Sequence, residues 1–392
     1  MISVQEAKEI ISASVPVPKT KKLKLSEASG KVISKAVTAT TDIPNFSQSS
    51  MDGYAIRYED KDLILSVIGE MAAGTSRQLI IKPGQATRVF TGAPLPEGAD
   101  TVVMQEKVQR SGNALSVQDE RLTDGLNVRA KGSEIKQGET AMLPGTLLTP
   151  AAIGFLAGIG CSEVEVYNPP DVTIILTGNE LQQPGNPLRF GQVYEANSFQ
   201  LKAALFQAGI VNIQVRTAED DPEKLQEVLS AALAESDLVL LNGGVSVGDY
   251  DFVVQAAEIC GVTKRIHKIR QKPGKPLFFG ISGEKMVFGL PGNPSSSLTC
   301  FYEYVLPALE QWMHQKNRIR NTEATVTHQY AKPTGLTHFL KAFYEDGRVT
   351  PLHAQESFRL HSFATANCFI VLPEESTGCM AGDLVEVHLL PV

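Results

Sequence analysis

The sequence predicts a multidomain α/β plus β protein. A central doubly wound parallel-sheet domain is set between β-rich N-terminal regions and a small, all-β, barrel-like C-terminal domain. Three observations carry this. The chain has 392 residues, too many for one ordinary core when domains run to about 100–200 residues. From about Asp171, continuous apolar strands alternate with amphipathic helices, the pattern of a parallel sheet covered on both faces. On either side, short β-type runs are punctuated by Gly and Pro without a long helical period.

In chain order, Ser3 to Glu6 forms a capping box, and Val4, Ala7, Ile10 and Ile11 share one helical face, so an amphipathic helix opens the chain. Runs such as DLILSVIG and TVVMQEKV predict strands between about Asp42 and Gly145. A short apolar helix, PAAIGFLAGIG, then precedes SEVEVYNPP, a strand whose prolines mark a linker. The boundaries expected are 1–41 with 146–170 (helix and elongated linker region), 42–145 (β-rich), 171–315 (α/β) and 320–392 (β).

Within the α/β part, VTIIL is the first strand, followed by a helix at 197–208 with Asn197 as its cap. VNIQV is the next. Asp221 caps a helix with Pro222 in its first turn and Leu225, Val228, Leu229, Ala232 and Leu233 at i, i+3, i+4, i+7 and i+8. DLVLL is the third strand. The tail reads as ATVTHQY, HFLKAFYEDGRVTPL, CFIVLP and GDLVEVHLL, with Asp346-Gly347 as a hairpin turn.

Composition removes several function classes. With 43% hydrophobic and 20% charged residues and no run near 18 apolar residues, the chain is neither disordered nor membrane-spanning. MISVQEAKEIIS lacks a basic region before an apolar core, so a cytoplasmic protein is expected. The five cysteines contain no CxxC pair, which favours reduced thiols over disulfides or zinc. Six of the seven histidines follow residue 310 without an HxxxH pair and read as surface or core residues. A net charge of −7 argues against nucleic-acid binding. One segment departs from that charge: Thr263 to Pro276 carries six Lys or Arg and no acid. As a strand it would put Lys264, Lys268, Arg270 and Lys272 on one face, either as a small-anion site or as a lysine-blunted edge.

In open parallel sheets the ligand crevice lies beyond the carboxyl ends of the strands. The loops there are TGNE, NGGVSVGDYD, KPGKP and LPGNPSSS. In the last, Asn293 can cap a helix that starts at Pro294, whose first-turn amides sit beside Ser295, Ser296 and Ser297 and suit a phosphate or oxyanion; a plain helix start fits equally. Gly243, Gly244 and Gly248 allow close backbone approach. Asp249, Asp251 and Glu180 beside an anion site suit a Mg²⁺ shared with a substrate phosphate, although Asp251 also fits a helix cap. There is no GxxxxGK[ST], no GxGxxG after a strand and no GxSxG.

SMDGYA (50–55), FTGAPLPEGADTVVMQE (90–106), TGNEL (177–181), GGVSVGDYDFV (243–253), KPGKP (272–276), GLPGNP (289–294) and ANCFIVLP (366–373) occur in this order. With them, almost the whole chain resembles the molybdopterin molybdenumtransferase family, the MoeA and gephyrin E-domain proteins. The resemblance implies a molybdopterin-binding α/β domain and insertion of molybdate into adenylylated molybdopterin, with release of AMP and help from Mg²⁺. It also implies a homodimer whose site is shared between subunits. Carried over by position, Asp251, Asp220, Asp221, Glu180 and Asp52 are the acidic residues of catalysis, with Asp251, Asp221 and Glu180 as metal contacts. Thr91, Ser246, Asp249, Lys268, Lys272, Lys275, Pro291, Pro294 and Ser296 fall at substrate-binding positions.

The chain departs from the family pattern at Asn179 (TGNEL for TGDEL), Glu134, Ser47, Glu356 and Lys341, the last standing where the family has an arginine. Exchanging Arg for Lys gives up bidentate oxyanion recognition. A related adenylyltransferase would lack MDGYA and the β tail. A non-catalytic pterin-binding scaffold would have no need for Asp52, Glu180, Asp251, Lys272 and Lys275 together.

Overall fold

A computed structural model describes residues 1–244 and 252–391. The chain forms two compact units, one made of Met1–Lys21 with Tyr167–Val392 and the other of Lys22–Val166. In the first, a six-stranded sheet runs in the order Ile213–Ala218, Val172–Thr177, Leu238–Asn242, Lys285–Leu290, Phe278–Ser282, Thr263–His267. The first four strands are parallel. Phe278–Ser282 runs antiparallel to both its neighbours, Lys285–Leu290 and Thr263–His267, so the sheet is mixed rather than wholly parallel as the sequence suggested. The cause is local: Ser282 pairs with Lys285, and a two-residue link with Gly283 at φ +59 makes a hairpin and cannot make a crossover.

Alternation along the parallel strands fills two cores. Ile174, Leu176, Leu240 and Phe288 face one way, against Leu201 and Leu205 of the helix Asn197–Gln207, Phe301 and Trp312. Ile175, Val239, Leu241 and Val287 face the other way, against Leu225 and Leu229 of Pro222–Glu235 and Val253 and Ala256 of Phe252–Ile259. Both faces of the three inner strands are therefore covered, which is why they carry no polar alternation, whereas the edge strand Ile213–Ala218 keeps Gln214 and Arg216. The N-terminal helix Val4–Ser12, with the expected capping box at Ser3, sends Ala7 and Ile11 into the first core.

Two caps differ from expectation. Asn197 lies inside its helix, and the buried Glu195 does the capping by accepting from Ser198 N (2.7 Å) and Ser198 Oγ (2.6 Å). Asn293 precedes its helix but makes no capping bond, because its amide donates to Ser357 Oγ at 2.9 Å.

The tail closes into a five-stranded barrel: Thr337–Glu345, Arg348–Pro351, Arg320–Val326, Leu384–Leu389 and Cys368–Leu372, the last pairing back to the first. Asp346 (φ +48) and Gly347 (φ +76) form the hairpin turn their sequence specifies. The basic segment is not one strand. It leaves the α/β sheet at His267, Lys268 takes φ +74, and Gln271–Lys272 pairs in parallel with Thr337 and His338 of the barrel, so the single cationic face does not form.

The second unit holds a six-stranded sheet ordered Thr101–Met104, Gly53–Ile56, Gln85–Val89, Leu65–Met71, Ala114–Val117, Val108–Ser111. The glycine of MDGYA is required there, since a Cβ on Gly53 would stand 2.0 Å from Val103 O. The helix Pro150–Gly158, capped by Thr149, packs Leu156 against Ile33, Leu148 and Val166 in a separate core. No helix among the described residues is long and apolar enough to cross a membrane.

Candidate active-site cleft

The carboxyl ends of the parallel strands open onto a cleft of about 860 Å³. Thr177 ends one strand, and Gly178 follows at φ +141, where a Cβ would meet the Glu180 carboxylate at 2.8 Å. This glycine lets Glu180 fold back over its own loop. Glu180 and Asp220 line the same cleft, with Gly178, Gly243, Gly244 and Pro291. Gly243, at φ +94, approaches the end of the neighbouring strand so closely that a Cβ would lie 2.6 Å from Thr177 Oγ1 and 2.7 Å from Thr177 O. The crevice thus has a backbone floor, with its carboxylates on one loop set.

Asn242 holds these loops in register. It ends the strand Leu238–Asn242 and is 3% exposed. Its Nδ2 donates to Pro291 O (3.1 Å) and Ser297 Oγ (2.9 Å), and its Oδ1 accepts from Asn197 Nδ2 at 2.6 Å. Asn197 also donates to Gly292 O at 2.7 Å. One buried amide therefore joins the strand end to both flanking helices and the LPGNP turn, with every bond satisfied. The sequence reading passed over Asn242; the available signal was an amide directly after four apolar strand residues.

The other expected residues are distributed. Asp221 caps its helix, accepting from Glu223 N (2.9 Å) and Lys224 N (3.0 Å) through one oxygen. Pro291 lines the cleft, and Pro294 opens the helix and accepts from Gln200 Nε2 at 2.9 Å. Ser296 is 3% exposed and packs into that helix start, and Ser295 N is already bonded to Ser357 O at 3.2 Å; the serine run is less open than its sequence suggested. Lys275 is exposed, while Pro276 of the same loop lines the cleft. Lys268 makes backbone bonds with Ile2 and Leu277. Ser246, Asp249 and Asp251 lie outside the described residues.

Lys272 lines a smaller pocket of about 270 Å³ with Tyr330, His338, Gln355 and Glu356. Burial, then the charges of Lys332 and Lys272, hold the His338 imidazole down at about 4, so it is neutral at pH 7. Lys341 is 2% exposed, and its ammonium donates to Ala354 O (2.8 Å) and Arg359 O (2.9 Å). Burial brings it down to about 8.

In the second unit, Thr91 N and Thr91 Oγ1 both donate to Asp52 Oδ1 at 2.8 Å. These bonds, with a smaller contribution from Arg88, hold the Asp52 carboxyl below the usual carboxylate range. A larger groove of about 930 Å³ contains Lys8, Arg270, Glu374 and His388 but no parallel-strand end, so the topological rule does not place the ligand there.

Comparison with known proteins gives three consecutive matches: the MoeA N-terminal region (domain I and II) over residues 2–160, a probable molybdopterin binding domain over 173–311, and the MoeA C-terminal region (domain IV) over 323–390. The molybdopterin molybdenumtransferase of Haemophilus influenzae is 34% identical over 404 residues, covering 100% of both chains. This chain belongs to the MoeA family of molybdopterin molybdenumtransferases. The MoeA relative from Bacillus subtilis is 30% identical, covering 99% of this chain and 94% of that one. Among solved structures, a molybdopterin biosynthesis MoeA protein from Pyrococcus horikoshii superposes with a TM-score of 0.88 at 29% identity, covering 99% of each chain. Thr177, Glu180, Asp220, Asn242 and Pro291, which line the 860 Å³ cleft, all fall in the stretch 173–311 that matches the probable molybdopterin binding domain.

Proposed function

We propose that this cleft holds adenylylated molybdopterin and that the chain inserts molybdenum from molybdate into it, releasing AMP, in molybdenum cofactor biosynthesis. The observation that carries the reading is the convergence of the TGNE, NGG and LPGNP loops on one crevice with Glu180 and Asp220. The fit to Mg²⁺ is that of a site completed by substrate. Among the described residues no group of three or more His, Cys, Asp or Glu forms a cage, and two carboxylates in one cleft match a cation that takes one or two carboxylates plus phosphate oxygens. Glu180 and Asp220, with Asp251 and Asp221 by the resemblance, would hold it. When bound, Mg²⁺ supplies Lewis-acid polarisation of the phosphoanhydride.

This chain's residues then do the positioning. The glycine floor lets the substrate approach the backbone, and Asn242 fixes the LPGNP turn against the strand ends. Lys272 and Lys275 are exposed cations on the KPGKP loop and suit a molybdate dianion through charge-assisted bonds. Attack by water on the adenylate phosphorus breaks the phosphoanhydride P–O bond, so AMP leaves with the new P–O bond and molybdopterin keeps its own phosphate. The two dithiolene sulfurs bind the molybdenum of molybdate, and one oxo group departs as water with the two thiol protons, with no change of oxidation state. The reading includes a homodimer with Asp52 and Thr91 contributed across subunits, working in the cytoplasm, where the five unpaired cysteines stay reduced. Asp251→Ala tests it: the folded variant should retain adenylylated molybdopterin through purification, whereas AMP release at the wild-type rate would remove Asp251 from the mechanism.

A further inference from the structure

Phe358 is, among the described residues, the barrel's one contribution to the lining of the 860 Å³ cleft, and it is 62% exposed. A lone exposed phenyl is ordinary on a protein surface. What sets this one apart is how firmly its loop is held. Ser357 is tied to the helix start by Asn293 Nδ2 (2.9 Å to Oγ) and Ser295 N (3.2 Å to the carbonyl). Behind it, the buried Lys341 ammonium bonds Ala354 O and Arg359 O, the two ends of the loop. Gln355 completes the clamp, accepting from Lys341 N at 3.0 Å and donating to Lys341 O at 2.8 Å. Arg359 stands 5.7 Å from the Phe358 ring centroid, a cation–π distance.

A phenyl ring whose loop is held at both flanks, on the wall of a cleft whose other aromatic lining residues are Tyr194 and Phe252, is a preorganised contact surface. We propose that Phe358 is the ring platform of this cleft, stacking on a planar heteroaromatic ring of the substrate. That ring is either the pterin or the adenine. In this account Lys341 is a positioning residue that holds the platform through its two carbonyl bonds. The inference rests on the reading of the cleft as the adenylylated molybdopterin site.

The test is equilibrium binding of AMP and of molybdopterin, measured separately, to the full-length chain and to Phe358→Ala, Phe358→Tyr and Phe358→Trp. One stacked ring is worth about fivefold to a hundredfold in affinity. Phe358→Ala should weaken one of the two ligands by at least about fivefold, and Phe358→Tyr should restore it. The fluorescence of Phe358→Trp should be quenched by that same ligand, over a steady background from Trp312, the single native tryptophan, which is 3% exposed. An effect on AMP identifies the adenine, and one on molybdopterin identifies the pterin. If wild type binds both ligands and Phe358→Ala binds them equally well, the platform is wrong and the cleft assignment stands. If wild type binds neither, the cleft assignment fails and the platform with it.

Discussion

At the residue scale, Asn242 shows how much of the site rests on one buried amide. Its replacement by Ala strands the Pro291 carbonyl and Ser297 Oγ and leaves Asn197 Nδ2 with its Gly292 bond alone. Leaving such groups unpaired costs about 1–3 kcal/mol each before relaxation. Asn242→Ala should therefore lose about 2 kcal/mol in urea unfolding and bind AMP more weakly; unchanged values of both would show that the amide is incidental. Lys341 makes a pH-dependent prediction. Its folded value of about 8 lies below the ordinary 10.5 because burial disfavours the ammonium. The unfolded chain holds that proton longer, so Lys341 adds a rise in stability as pH climbs from about 8 to about 10.5. Lys341→Met should flatten that rise in urea midpoints across the range. Glu180 was readable from the residues because it follows a strand in the TGNE loop, whereas Asp220 came only with the family resemblance, since its loop, AEDD, carries no glycine to mark it. Asn242 was not, because an amide at a strand end looks the same whether it faces water or three buried partners.

At the element scale, the helices were legible because a face repeating every 3.6 residues must be buried, as Leu225, Leu229, Ala232 and Leu233 are. Two caps were not, since Asn197 and Asn293 spend their amides on tertiary partners. The basic segment was misread for a similar reason: Lys268 at φ +74 ends the strand, a backbone choice that charge patterning does not encode. Another tertiary feature outside the sequence reading joins the helix Val4–Ser12 and the barrel strand Leu384–Leu389 through Glu303, which is 1% exposed and bonded to Lys8 (2.6 Å) and His388 Nδ1 (2.8 Å). Burial works against both charges, but Lys8 and His388 hold Glu303 low, and Glu303 holds His388 high. The lowered carboxyl stabilises above about 4.5 and that contribution is lost as pH falls through its folded value. The raised imidazole contributes fully below about 6.5 and its share is lost as pH rises through its folded value. The pair is thus most stabilising between those limits. Glu303→Gln should cost about 3 kcal/mol there and erase the dependence; a variant as stable as wild type at pH 6 would contradict the assignment.

At the scale of the whole molecule, the α/β rhythm and the barrel were legible from strand and helix periods, and the family from seven motifs in order. The mixed edge of the sheet was not, because a two-residue hairpin and a crossover start with the same apolar strands. The proposed shared site predicts complementation. Asp52→Ala and Glu180→Ala chains, each inactive alone, should regain about a quarter of wild-type activity when assembled one to one, since half the dimers are mixed and each of those has one intact site. No recovery would place both residues in the same subunit's site. The most direct test of the central claim is single-turnover AMP release from adenylylated molybdopterin, with and without molybdate, by wild type and Glu180→Gln. Release should require molybdate and slow at least about tenfold in Glu180→Gln. Release that ignores molybdate, or proceeds equally in the variant, would contradict it.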